Sequence, residues 1–232
     1  MPPLALLAGG LATRMRPLTE KVPKSMLEAA GEPFIAHQLR LFRREGIERV
    51  VLCVGYLWEM MAEYVGDGSR FGLTVEYSTE HGKLMGTGGA LKQALPLLGE
   101  EFLIHYGDSY LDIPFAPVVD AFRASGRQGL MTVYRNEDDF DASNVEFKGG
   151  EIAAYSKRDR TPAMRHIDWG LGALKREALA GWPDDEAFDL ASVYEKLVGE
   201  GQLAAFEVHT RFYEIGSPAG LADTDAFLRA AT

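Results

Sequence analysis

The sequence LLAGGLATRMRPLTEKVPKSML, residues 6–27, decides how this chain is organised. An apolar run, Leu4 to Ala8, leads into it and predicts a buried strand that ends at Gly9-Gly10. Two glycines let successive backbone N–H groups point into one concavity, which suits phosphate oxygens. Arg14 and Lys24 add positive charge to a chain that is otherwise acidic. The stretch therefore predicts a strand followed by a loop that binds a nucleoside triphosphate.

Length and composition exclude several classes of protein. The 232 residues suffice for one large α/β domain or two small ones. The net charge of -10 argues against general binding to nucleic acid or anionic membranes, so an anionic ligand needs a local cluster of cations. Cys53 is the single cysteine, which excludes an internal disulfide. With no apolar run of about 18 residues and no secretory leader, we expect a cytoplasmic protein without a membrane span.

The first half of the chain alternates apolar runs with helical patterns, as in a sheet flanked by helices. After the first strand, the pattern predicts strands over Val50–Val54, Leu73–Tyr77 and Phe102–Tyr106. It predicts helices over Pro33–Glu45, Trp58–Val65 and Gly86–Leu95. We therefore expect an α/β fold with a predominantly parallel mixed sheet, whose ligands bind at the carboxyl ends of the strands.

The second half is less regular. It predicts strands over 129–134, 167–174, 203–208 and 212–215, a hairpin over 145–155, and helices over 115–125, 189–198 and 218–231. Asp189 is expected to cap its helix. We expect one domain, 1–232, in which the nucleotide is bound by about residues 1–112 and the acceptor by about 113–232.

Four segments carry a resemblance to a known family. LAGGLATRMRPLTEKVPK (7–24), YSTEHGKLMGTGGAL (77–91), HYGDSYLD (105–112) and FYEIGSPAGL (212–221) resemble, in order, the motifs of the sugar-1-phosphate nucleotidylyltransferases. Among these enzymes the chain looks most like the D-glycero-α-D-manno-heptose 1-phosphate guanylyltransferases, followed by the N-acetylmuramate 1-phosphate uridylyltransferases. The resemblance implies a Rossmann-like three-layer fold and the formation of an NDP-sugar.

The resemblance implies roles for the nucleotide half. Arg14, Lys24 and Asp108 would be catalytic, and the nucleotide would be bound by Ala8, Gly9, Gly10, Leu11, Ala12, Thr13, Glu80, Gly86 and Gly88. A double glycine after a strand can also be only a tight turn, but the spacing fits neither a Walker loop nor a dinucleotide fingerprint. Ala12 stands where glycine is more usual, and we expect it to be tolerated unless its φ is positive.

A divalent cation would balance charge on the reacting phosphates. The resemblance assigns Mg²⁺ to Asp108 and to Glu214, which replaces the usual aspartate. An aspartate after a strand can also be a simple turn residue. In the preceding loop, Glu80 or His81 would contact the base, and a carboxylate acceptor at Glu80 favours guanine.

The acceptor half departs most from the family pattern. The resemblance places Ser143, Asn144, Lys157, Asp168 and Gly170 around the sugar phosphate. Ser156 replaces an acidic residue and Gly172 a tyrosine, and we expect these changes to enlarge the pocket. The arginines near Lys157 form either a basic rim for a more anionic acceptor or a solvated loop.

These observations predict an Mg²⁺-dependent enzyme that joins an NTP, with GTP favoured, to a heptose or hexose 1-phosphate. An amino-sugar 1-phosphate with UTP, or phosphocholine with CTP, are alternative substrates. A nucleotide-binding regulatory subunit with impaired catalysis is an alternative from another class.

Overall fold

The computed structural model describes residues 1–80, 82–136 and 138–231. Within them, a nine-stranded mixed sheet lies between two layers of helices. This confirms the predicted three-layer α/β fold.

The strands and helices have the following bounds. The strands are β1 Leu4–Leu7, β2 Glu28–Ala29, β3 Glu32–Pro33, β4 Arg49–Val54, β5 Thr74–Thr79, β6 Glu101–Tyr106, β7 Ser109–Tyr110, β8 Gly129–Arg135, β9 Val145–Lys148, β10 Glu151–Tyr155, β11 His166–Lys175, β12 Leu203–Val208 and β13 Tyr213–Glu214. The helices are α1 Phe34–Arg44, α2 Trp58–Val65, α3 Gly86–Leu98, α4 Ala116–Ser125, α5 Leu190–Gly199 and α6 Pro218–Ala230.

The central strand of the sheet is β1, the strand that leads into the glycine loop. It pairs in parallel with β4 and β6, and Leu4 lies opposite both Val50 and Leu103. The order across the sheet is β5-β4-β1-β6-β11-β8-β12, and β11 is antiparallel to both of its neighbours. The β9–β10 hairpin joins this sheet at the start of β11. Strands from both halves of the chain therefore share one sheet.

Side chains alternate between the two faces of the sheet, as expected for buried strands. Leu4 and Leu6 pack with α1, α2, α4 and α6, whereas Ala5 packs with α3 and α5 on the other face. Asp189 caps α5, as predicted, by accepting a 2.8 Å hydrogen bond from Ala191 N.

Among the two-residue strands, β13 lies within the strand predicted over 212–215, whereas β2, β3 and β7 were not predicted. They are too short for alternating polarity to show. One of them, β7, follows Asp108 directly and pairs with β13, so that Glu214 lies opposite Ser109. This pairing brings the last of the four family-like segments beside the third.

Across the described residues, none of the helices combines the length and the apolar character that crossing a membrane requires.

Candidate active site

A cavity of about 280 Å³ lies at the carboxyl ends of β1, β4 and β6, where the fold class predicts a ligand. Residues from three of the four family-like segments line it, together with Ser25 and with Cys53 of β4. The lining consists of Leu7, Ala8, Gly9, Gly10, Ala12, Lys24, Ser25, Cys53, Glu80, Leu84, Gly86, Thr87, Ala90, Tyr106, Gly107 and Asp108.

The glycine loop is packed tightly against the end of β4. A Cβ atom at position 9 would lie 3.2 Å from both Gly55 N and Glu80 Oε2, and one at position 55 would lie 2.9 Å from Gly9 O. The two glycines therefore let the loop and the end of β4 approach each other closely. A Cβ atom at Gly10 would meet no other atom within 4 Å, so packing does not require glycine there. The absence of a side chain instead leaves space in the cavity.

Ala12 adopts the left-handed conformation, with φ 48° and ψ 43°. This is the condition under which the sequence pattern predicted that alanine would be strained. Its carbonyl oxygen accepts hydrogen bonds from Met15 N at 3.0 Å and from Thr19 Oγ1 at 2.9 Å, which hold the conformation in place.

The next residues of the loop lie outside the cavity. Leu11, Thr13 and Arg14 are exposed, and Arg14 belongs to a short 3-10 turn, Thr13–Met15. The structure therefore brings Ala8, Gly9, Gly10 and Ala12 together around the cavity and leaves Arg14 outside its lining.

Glu80 follows β5 and points its carboxylate at the glycine loop. Its Oε1 accepts a 3.0 Å hydrogen bond from Met85 N, and its Oε2 lies against Gly9 and Gly55. Burial raises the pKa of Glu80, and the hydrogen bond from Met85 N offsets part of that rise. His81, the alternative contact for the base, lies outside the described residues.

The glycines that open α3 are required by a residue the sequence analysis missed, Phe188. A Cβ atom at Gly88 would lie 2.4 Å from its ring, and one at Gly86, where φ is +69°, would lie 2.6 Å from its carbonyl oxygen. The Phe188 oxygen also accepts a 3.0 Å hydrogen bond from Gly88 N. Gly86 lines the cavity, whereas Gly88 packs against this loop. No local sequence signal connects Phe188 with α3, because the two are about a hundred residues apart.

Lys24 and Asp108 meet in the cavity. Lys24 Nζ donates a 2.7 Å hydrogen bond to Asp108 Oδ2, and the two side chains are 16% and 34% exposed. The adjacent residues are also joined, since Ser25 Oγ donates to Gly107 O at 2.8 Å. A cation and a carboxylate are therefore held side by side at the end of β6.

Glu214 lies beside this pair but turns towards the start of α6. Its Oε2 accepts from Gly216 N, and its Oε1 accepts from Ser217 Oγ at 3.2 Å. The next residue, Ile215, donates its N–H to Asp108 O at 2.8 Å. Lys24 Nζ lies 3.3 Å from the place that a Cβ atom at Gly216 would take, so Glu214 and Lys24 approach the same glycine.

This donor set fits magnesium when a phosphate ligand is present. Among the described residues, no cluster of three or more His, Cys, Asp or Glu side chains is placed to hold a metal alone. Magnesium, however, needs only one or two carboxylates when phosphate and water oxygens supply the rest. Asp108 and Glu214 provide hard oxygen ligands of that kind.

On the acceptor side, Asp168 is joined to the cavity wall through Tyr106. Tyr106 Oη lies 3.5 Å from Asp168 Oδ2, Gly170 N donates to Oδ1 at 3.1 Å, and Asp168 N donates to Asn144 Oδ1 at 3.0 Å. Burial raises the pKa of Asp168 to about 6, although the Lys157 charge opposes the rise. The structure therefore brings Asn144, Asp168 and Gly170 together.

Lys157 is linked to the same wall through Asp189. Its Nζ lies 3.3 Å from Asp189 Oδ1, and Thr87 Oγ1, on the cavity lining, donates to that oxygen at 3.1 Å. Burial raises the pKa of Asp189, but the Ala191 N–H and the Lys157 charge outweigh it and the net shift is downwards. Asp189 had been identified only as a helix cap.

The hydroxyl groups of Ser143 and Ser156 accept hydrogen bonds from backbone N–H groups of their own loops. Ser143 Oγ accepts from Asp138 N at 3.1 Å, and Ser156 Oγ accepts from Asp159 N at 3.0 Å. Ser143 lines a second, more open cavity of about 750 Å³, together with Arg160 and other residues of two loops. The structure thus places Ser143 outside the lining of the first cavity.

The expectation that Gly172 enlarges the pocket is wrong. A Cβ atom at this position would lie 2.4 Å from Tyr194 Oη, so the phenol of α5 already occupies the space. Tyr194 is only 2% exposed and packs edge-on against Tyr155.

The chain is similar to known proteins in sequence and in fold. A family model described as Nucleotidyl transferase matches residues 5–143, which is more than half of the chain. Mannose-1-phosphate guanylyltransferase catalytic subunit beta of Xenopus tropicalis is 28% identical over 219 residues, covering 92% of this chain and 61% of that protein. N-acetylmuramate alpha-1-phosphate uridylyltransferase of Neisseria meningitidis serogroup B is 40% identical over 111 residues, which cover 47% of this chain and 48% of that protein. The chain thus spans less than two thirds of the length of these relatives.

Solved structures share the fold. HddC from Yersinia pseudotuberculosis, complexed with GMP-PN, has a TM-score of 0.82 at 20% identity, covering 98% of this chain and all of that chain. UDP-glucose pyrophosphorylase complexed with UDP-glucose has a TM-score of 0.82 at 14% identity, covering 100% of both chains.

Proposed function

The chain belongs to the nucleotidyl transferase family, and on that premise we propose that it transfers a nucleotidyl group from an NTP to a sugar 1-phosphate. The observation that carries the proposal is the pairing of Lys24 with Asp108 in a cavity that begins at the glycine loop. A cation and a metal-binding carboxylate beside backbone N–H groups suit the α-phosphate of a triphosphate.

The proposed reaction is one in-line displacement. An oxygen of the sugar phosphate attacks the α-phosphorus and forms the new P–O bond, while the bond to the bridging oxygen breaks and pyrophosphate leaves with that electron pair. A phosphate monoester is already ionised near pH 7, so no general base is required. Catalysis then rests on positioning and on stabilising charge.

Each proposed role follows from charge and position. Lys24 neutralises the α-phosphate and the glycine loop binds the phosphates by its N–H groups. Arg14, which is exposed and lies outside the cavity lining, is assigned to the β- and γ-phosphates on its charge and on the resemblance to the family motif. Lys157 holds the phosphate of the acceptor. Asp108 and Glu214 would hold Mg²⁺, which when bound neutralises charge on the triphosphate and on departing pyrophosphate. The nucleotide is assigned to about residues 1–112 and the acceptor to about 113–232, within one domain.

Guanine is the base we favour. The half-buried Glu80 carboxylate presents Oε2 beside Gly9, where it can accept from the N1–H and amino groups of guanine. A guanylyltransferase among the relatives supports this choice. We propose a heptose or hexose 1-phosphate as acceptor.

A uridylyltransferase that uses an amino-sugar 1-phosphate is the second candidate. The relative that is 40% identical over 111 residues carries this activity in its name, and uracil also offers an N–H to a carboxylate. Phosphocholine is less favoured than the sequence suggested, because Tyr194 fills the space beside Gly172.

Pyrophosphate release tests the proposal. Four NTPs are each incubated with heptose, hexose and amino-sugar 1-phosphates and with phosphocholine. We expect pyrophosphate with GTP and a neutral sugar 1-phosphate. Release with UTP and an amino-sugar 1-phosphate would select the second candidate. If no pair of substrates released pyrophosphate, the proposed reaction would be wrong and the alternative of a nucleotide-binding regulatory subunit would be favoured.

A further inference from the structure

The four residues Tyr106–Ser109, which carry Asp108, have every backbone carbonyl oxygen engaged. Four hydrogen bonds reach these oxygens from three residues in distant parts of the chain, and His105 Nδ1 also lies 2.8 Å from Tyr106 O. Ser25 Oγ donates to Gly107 O at 2.8 Å, and Ile215 N donates to Asp108 O at 2.8 Å. The outer two carbonyl oxygens are joined by a single side chain.

That side chain is Gln38, in the middle of α1. Its Nε2 donates to Tyr106 O at 3.0 Å and to Ser109 O at 2.8 Å, so one amide spans the segment on both sides of Asp108. Gln38 is fully buried. No other hydrogen bond of its amide nitrogen is available, because both of its hydrogens are used here.

Apolar packing does not explain a glutamine at this position. Its neighbours on α1, Phe34, Ile35, Leu39 and Phe42, are buried apolar residues. Within the described part of the chain, Gln38 Oε1 has no hydrogen-bond partner, and a methionine would fill similar space without burying an unpaired oxygen. Burying the unpaired oxygen of Gln38 costs free energy, and the hydrogen bonds that the side chain gains in return are those to Tyr106 O and Ser109 O.

We propose that Gln38 is a positioning residue that fixes the backbone around Asp108 and thereby directs its carboxylate. Gly107 has no side chain to anchor the turn, since a Cβ atom there would lie 2.8 Å from Leu7 O. Its backbone is held by Leu7 O and Ser25 Oγ, and Gln38 holds the carbonyl oxygens on either side of Gly107 and Asp108. A carboxylate displaced by about 1 Å can lose a hundredfold in rate. The catalytic consequence rests on the whole proposed function, whereas the effect on metal binding rests only on the assignment of the metal to Asp108.

The test compares Gln38→Met with Thr132→Val. Thr132 is also fully buried, and its hydroxyl also donates to a backbone carbonyl oxygen, Leu171 O at 2.6 Å, but it does not contact the Asp108 segment. Three quantities are measured for each variant: the Tm, the Kd of Mn²⁺ by electron paramagnetic resonance in the presence of GTP, and kcat with the KM of the acceptor.

We expect both variants to lower the Tm. Only Gln38→Met should raise the Mn²⁺ Kd, by fivefold or more, and lower kcat by 10- to 100-fold with an unchanged acceptor KM. If the two variants lost the same amount of Tm and Gln38→Met kept the Mn²⁺ Kd and the kcat of the wild type, Gln38 would have only a structural role. That result would overturn the proposal.

Two controls keep the result interpretable. If Gln38→Met does not fold, Gln38→Asn keeps a buried amide that is too short to span both carbonyl oxygens, and the same changes in Mn²⁺ binding and kcat are expected. If wild type binds Mn²⁺ and Gln38→Met weakens that binding, but no NTP yields pyrophosphate, the positioning role stands and the proposed function fails. A wild-type protein that binds Mn²⁺ neither with GTP nor with UTP overturns both.

Discussion

Lys24 and Asp108 are 84 residues apart in the chain, and their side chains form a 2.7 Å hydrogen-bonded ion pair inside the cavity. The ammonium lies against Oδ2 of the carboxylate that the proposal assigns to the metal. A divalent cation at Asp108 and the Lys24 ammonium therefore compete for the same carboxylate. On the proposed function, binding of the metal–triphosphate complex would resolve the competition, because the α-phosphate would offer Lys24 a new partner.

Removing either member of this pair should abolish turnover without unfolding the protein. We expect Lys24→Ala and Asp108→Ala each to lower kcat by at least about 10²-fold, because charge stabilisation of the reacting phosphate is lost. The Tm should fall little, since partly exposed ion pairs contribute about 0–1 kcal/mol. Pyrophosphate release and circular dichroism measure the two effects. Lys196→Ala, which breaks an exposed pair with Glu200, is the control. Near-full activity in either site variant would show that these roles are wrong.

Ala12→Gly should stabilise the protein. The left-handed conformation of Ala12 costs roughly 1–2 kcal/mol in a residue with a Cβ atom, and glycine adds flexibility to the unfolded chain worth about 0.5–1 kcal/mol. The net gain is about 0.5–1 kcal/mol in the free energy of unfolding, measured by urea titration. Ala121→Gly, inside α4, should change stability in the opposite direction by about 1 kcal/mol. If Ala12→Gly instead lowered the free energy of unfolding, the conclusion that Ala12 is strained would be wrong.

Gly172 and Tyr194 should be energetically coupled. Gly172→Ala would place a Cβ atom 2.4 Å from Tyr194 Oη, and such overpacking costs about 1–3 kcal/mol. Tyr194→Phe removes the oxygen, so the double variant should be more stable than the sum of the two single changes. A double-mutant cycle of urea unfolding measures the coupling. Strict additivity would mean that the phenol does not fill this space.

Asp168→Asn should stabilise the protein at pH 7 and lose that advantage in acid. The folded-state pKa of Asp168, about 6, lies above the ordinary value of 3.8, so burial disfavours its charged form. Between about pH 4 and 6 the folded protein keeps a proton that the unfolded chain has released, and stability therefore falls as the pH rises through this window. The difference in unfolding free energy between variant and wild type should grow from pH 4 to pH 7.

The same substitution separates stability from function. Asparagine keeps an oxygen that can accept from Gly170 N but removes the negative charge facing the proposed acceptor. We expect a higher KM for the sugar phosphate, because an amide oxygen accepts hydrogen bonds from sugar hydroxyls less strongly than a carboxylate does, and an unchanged KM for the NTP. If the difference in unfolding free energy between Asp168→Asn and wild type did not change with pH, the pKa of Asp168 would not be raised by burial.

The sequence pattern predicted the long elements of the fold because each buries an apolar face with its own period. Trp58–Val65 forms a helix with the predicted bounds, and Leu203–Val208 a strand. The glycine loop and Asp108 were found through motifs that follow strands. Phe188, Tyr194 and Gln38 were missed, because each acts on a segment that lies far away in the chain and only tertiary packing brings the two together.

The pairing of β7 with β13 also determines when, during translation, the segment around Asp108 can make all of its hydrogen bonds. The segment that carries Asp108 receives its last hydrogen bonds from residues 213–215, more than a hundred residues after it has left the ribosome. A nascent chain that stops before Tyr213 would contain the glycine loop, Lys24 and Asp108 without the strand that fixes them. Such a fragment would lack Glu214 and the N–H of Ile215 that binds Asp108 O, so the complete set of carboxylates forms only after translation has passed residue 215.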